Sequence, residues 1–289
     1  MILSLKNMRS CLLLFLCCGI LFATAAGMTS LHSSAEKGGV QLPILMYHHI
    51  LKDTSKQNKY TISPKEFESD LQYIKENGYK TVTVQNLIDY CENGKALPEK
   101  PIMITFDDGY ESVYAYAVPL LREYEMCAVV NIIGKYTDLY SESDDHSVNY
   151  THITWEQLKA CLEDGTLEVA SHTYDMHTNQ DGRNGIKKKK SESDSEYRKA
   201  ITEDLTQLQN RAQEMLGVQP VAFAYPFGQI SKETLPILKE IGFKAVFCCW
   251  EKVNVLTGDS EELYHLNRFN RPHNTSTKSF FASIEKQMT

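Results

Sequence analysis

The sequence predicts a single α/β domain that folds as a deformed, TIM-like (β/α) barrel. Along the chain, segments with apolar residues at helical spacing alternate with short apolar runs such as residues 44–47 and 101–106. Continuously apolar strands are typical of parallel sheets that are covered by helices. Roughly seven or eight such β/α units are present, which is enough to close a barrel. An open doubly wound sheet is the alternative architecture.

Local signals then define the individual elements in chain order. The first helix begins after Ser63, because serine is a favoured N-cap and Pro64 suits the first helical position. The predicted helices are residues 64–77, 84–91, 113–124, 154–163, 197–216 and 232–241. The predicted strands are residues 44–47, 81–84, 101–106, 127–133, 167–172, 221–225 and 244–250.

Residues 1–26 are predicted to be a secretory signal peptide or an N-terminal anchor. Lys6 and Arg9 precede an apolar run, and Ala23 and Ala25 have the A-x-A spacing of a cleavage site. The run is short for a membrane span, which needs about 20 apolar residues, so a signal peptide is favoured over an anchor. The expected location is therefore secreted, or held at the cell surface on the extracytoplasmic side of the membrane.

The remaining chain divides into a linker over residues 27–40 and a folded domain over residues 41–289. One segment interrupts the β/α pattern, because residues 178–196 contain four consecutive lysines and then an acid-rich run. Such a segment is typical of a solvated loop. Contact of the lysines at 187–190 with an anionic envelope polymer is the alternative.

Composition excludes several classes of function. The formal net charge of −7 argues against nucleic-acid binding, because nucleic-acid-binding domains are generally basic. Three of the eight cysteines lie in the N-terminal apolar run, and the others are scattered without a C-x-x-C pair. This arrangement indicates neither a disulfide framework nor a zinc–cysteine site. The sequence also lacks a glycine-rich phosphate-binding loop.

Acids and imidazoles follow several of the predicted strands. His48 follows the first strand, Asp107 and Asp108 follow residues 101–106, and His172 ends a later strand. The carboxyl ends of parallel strands meet at one rim, so these groups are expected to converge. One carboxylate and two imidazoles can form a three-ligand metal site with an open position. A second carboxylate beside it can then act as a base, which gives the adjacent aspartates separate roles.

Three motifs carry a resemblance to a known family. TFDDGY at 105–110, SHTYDMH at 171–177 and FAYPFG at 223–228 occur in the order found in NodB-homology polysaccharide deacetylases, carbohydrate esterase family four. The resemblance covers roughly residues 40–271. It implies a deformed (β/α) barrel that uses a divalent metal to remove N- or O-acetyl groups from glycans.

The resemblance also implies roles for individual residues. Asp107 corresponds to the general base, and Asp108, His172 and His177 correspond to the metal ligands. The backbone N–H of Phe227 would help to hold an oxyanion. The residues assigned to oxyanion and substrate binding are Tyr225, Pro226 and Phe227.

Three departures from the common family pattern favour one subgroup. Met176 stands where the second histidine of the motif is usual, and Ala224 replaces the arginine that braces the base. The third departure is that no apolar strand late in the sequence is followed by the Leu-x-His motif that is usual there. The chain resembles the poly-N-acetylglucosamine deacetylases in these respects, which implies that His48 is the acid. Arg268 or Arg271 is the candidate replacement for the brace.

The expected protein is a secreted, metal-dependent N-deacetylase of a glycan that contains N-acetylglucosamine, such as an exopolysaccharide or peptidoglycan. The alternatives are an O-acetyl esterase of the xylan type and a catalytically silent glycan-binding protein on the same fold. Zinc is the expected metal, with cobalt or nickel as alternatives. A monomer that associates with the cell envelope is expected.

Overall fold

A computed structural model of the protein describes residues 39–288. The predicted signal peptide or anchor at 1–26 and nearly all of the linker at 27–40 lie outside these residues and stay predictions. From residue 39 to residue 288, no helix combines the length and apolar character that a membrane span requires.

The helices cover the outside of one large sheet. They are α1 (Pro64–Glu76), α2 (Val84–Asn93), α3 (Val118–Glu123), α4 (Gly134–Ser141), α5 (Trp155–Glu163), α6 (Asp194–Leu216), α7 (Thr234–Ile241) and α8 (Thr277–Glu285). The strands are β1 (Val40–Leu42), β2 (Ile44–Tyr47), β3 (His49–Ile50), β4 (Thr61–Ile62), β5 (Lys80–Thr81), β6 (Pro101–Phe106), β7 (Ala128–Ile132), β8 (Leu167–Ser171), β9 (Ala222–Ala224), β10 (Ala245–Phe247), β11 (Asn254–Leu256) and β12 (Phe269–Asn270).

The main sheet is parallel and curls into the deformed (β/α) barrel that the sequence predicts. Its strand order is β10-β9-β8-β7-β6-β2-β12, and β5 pairs with the beginning of β6. The segment 266–270 closes the seam, because Leu266 pairs with Phe247 of β10 while Phe269 pairs with Leu45 of β2. The barrel is therefore completed by a short, irregular segment rather than by a full eighth strand.

Alternation along the strands determines which side chains reach the site. Met103, Val129 and Ala170, on β6, β7 and β8, belong to one buried apolar cluster. Successive side chains in a strand point to opposite faces, so positions two and four residues further along continue the same face. Asp107 lies four residues beyond Met103, and His172 lies two beyond Ala170. The alternation thus places these polar groups at the carboxyl ends of the strands, on the same face as the apolar side chains that fill the barrel.

Helix caps confirm the predicted starts of α1 and α5 and correct one strand. Ser63 and Thr154 both form capping boxes, with the side chain of the cap and that of the third helical residue bonding reciprocally. The predicted strand over 81–84 is wrong after Thr81. Thr83 caps α2 in the same way and Val84 is its first residue, so side-chain capping ends the extended backbone early.

Two further helices differ in detail from the prediction. The predicted helix over 113–124 is divided into a π-helical turn, Val113–Ala117, followed by α3. Pro119 lacks an N–H and stands near the start of α3, where no intrahelical donor is needed. On α6, Met215 follows Leu208 and Ala212 at helical spacing but is 37% exposed, and the neighbouring Leu216 is buried instead.

The lysine-rich segment is a loop that hydrogen bonds attach to the fold. Ile186 is completely buried, and its carbonyl accepts a hydrogen bond from the hydroxyl of Tyr197 at 2.8 Å. Arg183 pairs with Glu192 through two hydrogen bonds, of 3.2 and 2.7 Å. Residues 178–193 form no helix or strand and are mostly exposed or half-buried, as predicted for a solvated loop, and Ile186 attaches this loop to α6.

Candidate active site

A cleft of about 510 Å³ opens at the carboxyl ends of the barrel strands. It is bordered by residues from β2, β6, β8, β9 and β12 and from the loops that follow them. Its lining residues are Met46, His48, His49, Lys59, Tyr60, Thr61, Asp107, Asp108, Tyr110, His172, His177, Tyr225, Phe227, Cys249 and Asn270. Every residue that was predicted as base, acid or metal ligand borders this cleft.

The three predicted metal ligands come together at its floor. Oδ1 of Asp108 lies 3.6 Å from Nε2 of His172 and 3.3 Å from Nε2 of His177. The ligand atoms of all three residues lie within 4.8 Å of one another. This spacing suits three ligands around a single ion rather than three direct hydrogen bonds.

The environment of these groups also fits a cation. Oδ1 of Asp108 is buried and has no hydrogen-bond partner within the described residues. Nδ1 of His172 lies 2.9 Å from the carbonyl oxygen of Ala224, which directs the Nδ1 proton to that oxygen and leaves a lone pair on Nε2. The residues present therefore fit a divalent metal that takes two imidazoles and one carboxylate.

The pKa values of the same residues also fit a bound cation. Burial raises the pKa of Asp108 to about 6, and the neighbouring charge of Asp107 adds to this rise. Burial lowers the pKa of His172 to about 3, so its imidazole is neutral and able to act as a ligand. A bound cation would favour the ionised carboxylate of Asp108 and compensate for its burial.

Strained backbone accompanies the site at three positions. Asp108, Thr173 and Phe227 have φ values of 69°, 80° and 56°, in the left-handed region that non-glycine residues rarely occupy. Each such residue costs about 1–3 kcal/mol and persists only where the surrounding structure holds it. Each of the three motifs of the sequence therefore contains one strained residue.

The base candidate Asp107 is held by a buried arginine. Nη1 and Nη2 of Arg268 donate to Oδ1 and Oδ2 of Asp107 at 2.6 and 2.9 Å. Arg268 is completely buried and also donates through Nε to the carbonyl of Cys248. Burial alone would raise the pKa of Asp107, but the charge of Arg268 holds it well below its ordinary value. The arginine therefore fixes both the orientation and the charge of this carboxylate.

The other candidate brace has a different partner. Nε of Arg271 donates to Oδ2 of Asp70 at 2.7 Å, and the hydroxyl of Tyr47 donates to the same oxygen. This pair attaches the residue that follows β12 to α1. Of the two predicted arginines, only Arg268 contacts Asp107 within residues 39–288.

Asn131 is a site residue that the sequence reasoning missed. Its side-chain amide, at the end of β7, donates to Oδ1 of Asp107 at 2.7 Å. The available signal was a single asparagine inside the apolar segment AVVNI, and the structure buries it completely. Such a residue requires a polar partner, and the end of a barrel strand is where functional groups lie.

The predicted acid His48 lies on the other side of Asp107. Its Nε2 is 3.9 Å from Oδ2 of Asp107, and its ring lies 4.8 Å from that of Tyr60 between centroids. Nδ1 of His48 is buried without a hydrogen-bond partner among the described residues. His49, its neighbour, instead stacks on Tyr110 with ring centroids 4.1 Å apart.

The third motif also lines the cleft, through Tyr225 and Phe227. Tyr225 is buried, and the 3-10 turn Pro226–Gly228 follows it directly. Phe227 is 48% exposed, and its ring centroid lies 4.3 Å from that of His177. The ring of Phe227 thus lies beside His177, one of the candidate metal ligands.

Several known proteins are similar in sequence to this chain. A family model described as polysaccharide deacetylase matches residues 94–246. The poly-beta-1,6-N-acetyl-D-glucosamine N-deacetylase of Escherichia coli (strain K12) is 25% identical over 221 residues, which cover 70% of this chain and 33% of that protein. A protein of the same name from Staphylococcus aureus (strain MRSA252) is 29% identical over 232 residues, 76% of this chain and 75% of that one.

A solved structure has the same architecture. IcaB from Ammonifex degensii is 28% identical and superposes with a TM-score of 0.69 over 86% of this chain and 97% of that one. This chain spans about a third of the Escherichia coli relative's length. The matched residues 94–246 include Asp107, Asp108, His172 and His177, whereas His48 lies before them. With the barrel, the three motifs and this match in agreement, the chain belongs to the polysaccharide deacetylase family.

Proposed function

We propose that the protein is a metal-dependent N-deacetylase of a glycan that contains N-acetylglucosamine. The observation that carries the proposal is the pairing of an ionised, doubly braced Asp107 with the His172–His177–Asp108 cluster in one open cleft. The names of the Escherichia coli and Staphylococcus aureus relatives support a β-1,6-linked N-acetylglucosamine polymer. Zinc is the proposed metal, with cobalt or nickel as substitutes. A secreted or extracytoplasmic location suits such a substrate.

The residues of the cleft can divide the hydrolysis of an acetamide among them. A divalent cation at Asp108, His172 and His177 would supply Lewis-acid polarisation and acidify a water molecule. Asp107 accepts the proton of the water that attacks the carbonyl carbon. The backbone N–H of Phe227 donates to the oxyanion that develops. The bond between carbon and nitrogen then breaks, which yields acetate and a sugar amine.

His48 is proposed to protonate the leaving nitrogen. It borders the cleft, and its Nε2 lies 3.9 Å from Oδ2 of Asp107. An acid must be protonated to act, so its deprotonation produces the alkaline limb of a pH–rate profile. We expect His48→Ala to lower kcat about 10²–10⁴-fold and to remove that limb. An unchanged alkaline limb in His48→Ala would exclude this role. Tyr60→Phe is the matched control, since it keeps the ring beside His48 and removes only the hydroxyl.

The proposed activity is tested by acetate release from a panel of glycans. We expect turnover of poly-β-1,6-N-acetylglucosamine oligomers, loss of turnover with a chelator, and recovery after Zn²⁺ or Co²⁺ is added. Release from acetylated xylan alone would identify an O-acetyl esterase instead. The absence of both acetate release and metal uptake would identify a catalytically silent glycan-binding protein. Chitooligosaccharides and peptidoglycan fragments in the same panel separate the possible N-acetyl substrates.

A further inference from the structure

The loop that joins His172 to His177 is held from two sides. We define residues 173–176 as the ligand loop, because they separate the two imidazoles of the candidate metal centre. On one side, the backbone N–H groups of Gly134 and Lys135 donate to the carbonyls of Thr173 and Tyr174, at 3.1 and 2.9 Å. The start of α4 thus satisfies two acceptors of the ligand loop.

On the other side, one carboxylate satisfies two donors. Oδ1 of Asp204, on α6, accepts the backbone N–H of Tyr174 at 2.9 Å, and Oδ2 accepts that of Asp175 at 2.8 Å. Asp204 is 8% exposed and lies on the face of α6 that packs toward the barrel. A buried carboxylate is costly unless it is fully hydrogen-bonded, so its position here is tied to these two amides.

The ligand loop needs this external support. Thr173 is β-branched and has a φ of 80°, a conformation that its own side chain disfavours. The histidines are five residues apart, which leaves four residues whose backbone must be directed as a unit. The hydroxyl of Tyr174 donates to Asp138, which anchors the middle of the loop as well. The position of His177 therefore depends on contacts that come from α4 and α6.

We propose that Asp204 is a positioning residue for the metal centre: by binding two successive amides of the ligand loop, it sets the place of the His177 imidazole relative to His172 and Asp108. The inference rests on the proposed function only in requiring that these three side chains hold a divalent cation. Residues that orient metal ligands typically contribute about 10–100-fold to metal affinity.

The test replaces one acceptor oxygen without changing the size of the side chain. Asp204→Asn places an NH₂ group against one backbone N–H, so the loop loses a hydrogen bond and gains a repulsive contact. We expect the affinity of metal-free protein for Co²⁺ to fall about 10–100-fold, as measured by visible absorption titration and confirmed by competition with Zn²⁺. At saturating metal, KM for the glycan should be unchanged.

A second carboxylate in the same protein provides a matched control. Glu168, on β8, also accepts two successive backbone amides, those of Val84 and Gln85 at 2.5 and 3.1 Å, but does not contact the ligand loop. Glu168→Gln is expected to lower the thermal stability while leaving Co²⁺ affinity at the wild-type value. Equal affinities for Asp204→Asn and wild type, or equal losses in both variants, would overturn the proposal.

Three further outcomes each have a defined meaning. Should Asp204→Asn fail to fold, Asp204→Glu keeps both acceptor oxygens but displaces them by one methylene, and the same loss of Co²⁺ affinity is expected; wild-type affinity in that variant would overturn the proposal. Wild-type protein that takes up no Co²⁺ would overturn the metal centre and the role of Asp204 together. Normal metal uptake without deacetylation would overturn the proposed function alone.

Discussion

Asp107→Asn is expected to lower the kcat for deacetylation about 10²–10⁴-fold while the protein still binds its metal. The substitution keeps the shape of the side chain and removes its capacity to accept a proton from water. Oδ1 of the new amide can still accept from Arg268 and Asn131, which contact this position now. Acetate release at saturating Zn²⁺ measures the first effect, and Co²⁺ titration measures the second.

The adjacent Asp108 provides the contrast that makes this result specific. Its Oδ1 faces the two imidazoles and has no other partner among the described residues. Asp108→Asn should therefore lose both metal affinity and activity, whereas Asp107→Asn should lose activity alone. Turnover at the wild-type rate in Asp107→Asn would eliminate it as the base. Loss of metal in both variants would show that the two carboxylates share the ligand role.

Arg268→Met is expected to destabilise the fold by about 3–5 kcal/mol at neutral pH, because it leaves the buried carboxylate of Asp107 without its cation. Methionine keeps most of the apolar volume, so the loss arises from charge rather than from a cavity. Denaturant unfolding of metal-free protein measures the effect. Activity should also fall, since the orientation of the base is lost together with the ion pair.

The pH dependence of this loss has a defined sign. In the wild type, the pKa of Asp107 is held low, so its ion pair stabilises the fold above the unfolded pKa of about 3.9 and is lost only as the pH falls below it. Without Arg268, burial raises that pKa, and protonation relieves the penalty. The gap in stability between wild type and Arg268→Met should therefore narrow between pH 7 and pH 5.

A double-mutant cycle completes the test. The double variant Asp107→Asn/Arg268→Met should lose less free energy of unfolding than the two single variants lose in sum, because it contains neither of the two buried charges. Arg268→Lys is the matched control; it keeps the charge but loses the bidentate geometry, and should cost less stability than Arg268→Met. Additive effects of the two substitutions would show that the ion pair does not stabilise the fold.

The parts of the structure that local chemistry determines were predictable. The apolar runs 44–47 and 101–106 became β2 and β6 without change, and Ser63 and Thr154 capped helices as their side chains suggested. The rule that functional groups gather at the carboxyl ends of parallel strands was sufficient to bring Asp108 and His172 together. Short-range signals and one topological rule therefore located the centre of the site.

The remainder depends on long-range packing. Arg268 and Arg271 are three positions apart, both are buried, and each pairs with an aspartate. The residues around the two arginines do not show which of them pairs with Asp107. That choice depends on which arginine side chain is directed toward the end of β6 and which toward α1 in the folded barrel. The hydrogen bonds from the ligand loop to Asp204 were equally unpredictable from local sequence, since 30 positions separate Asp204 from Tyr174.

The seam of the barrel has a consequence for the order in which the protein becomes active. Arg268 lies on the segment that joins β10 to β2, 161 positions after its partner Asp107. During synthesis, the base and all the candidate ligands emerge from the ribosome before their counter-charge does. A nascent chain that ends before this segment would contain Asp107 and all three candidate metal ligands, but it would lack the positive charge of Arg268 that pairs with Asp107. Completion of the barrel and onset of catalysis are thus expected to be one event.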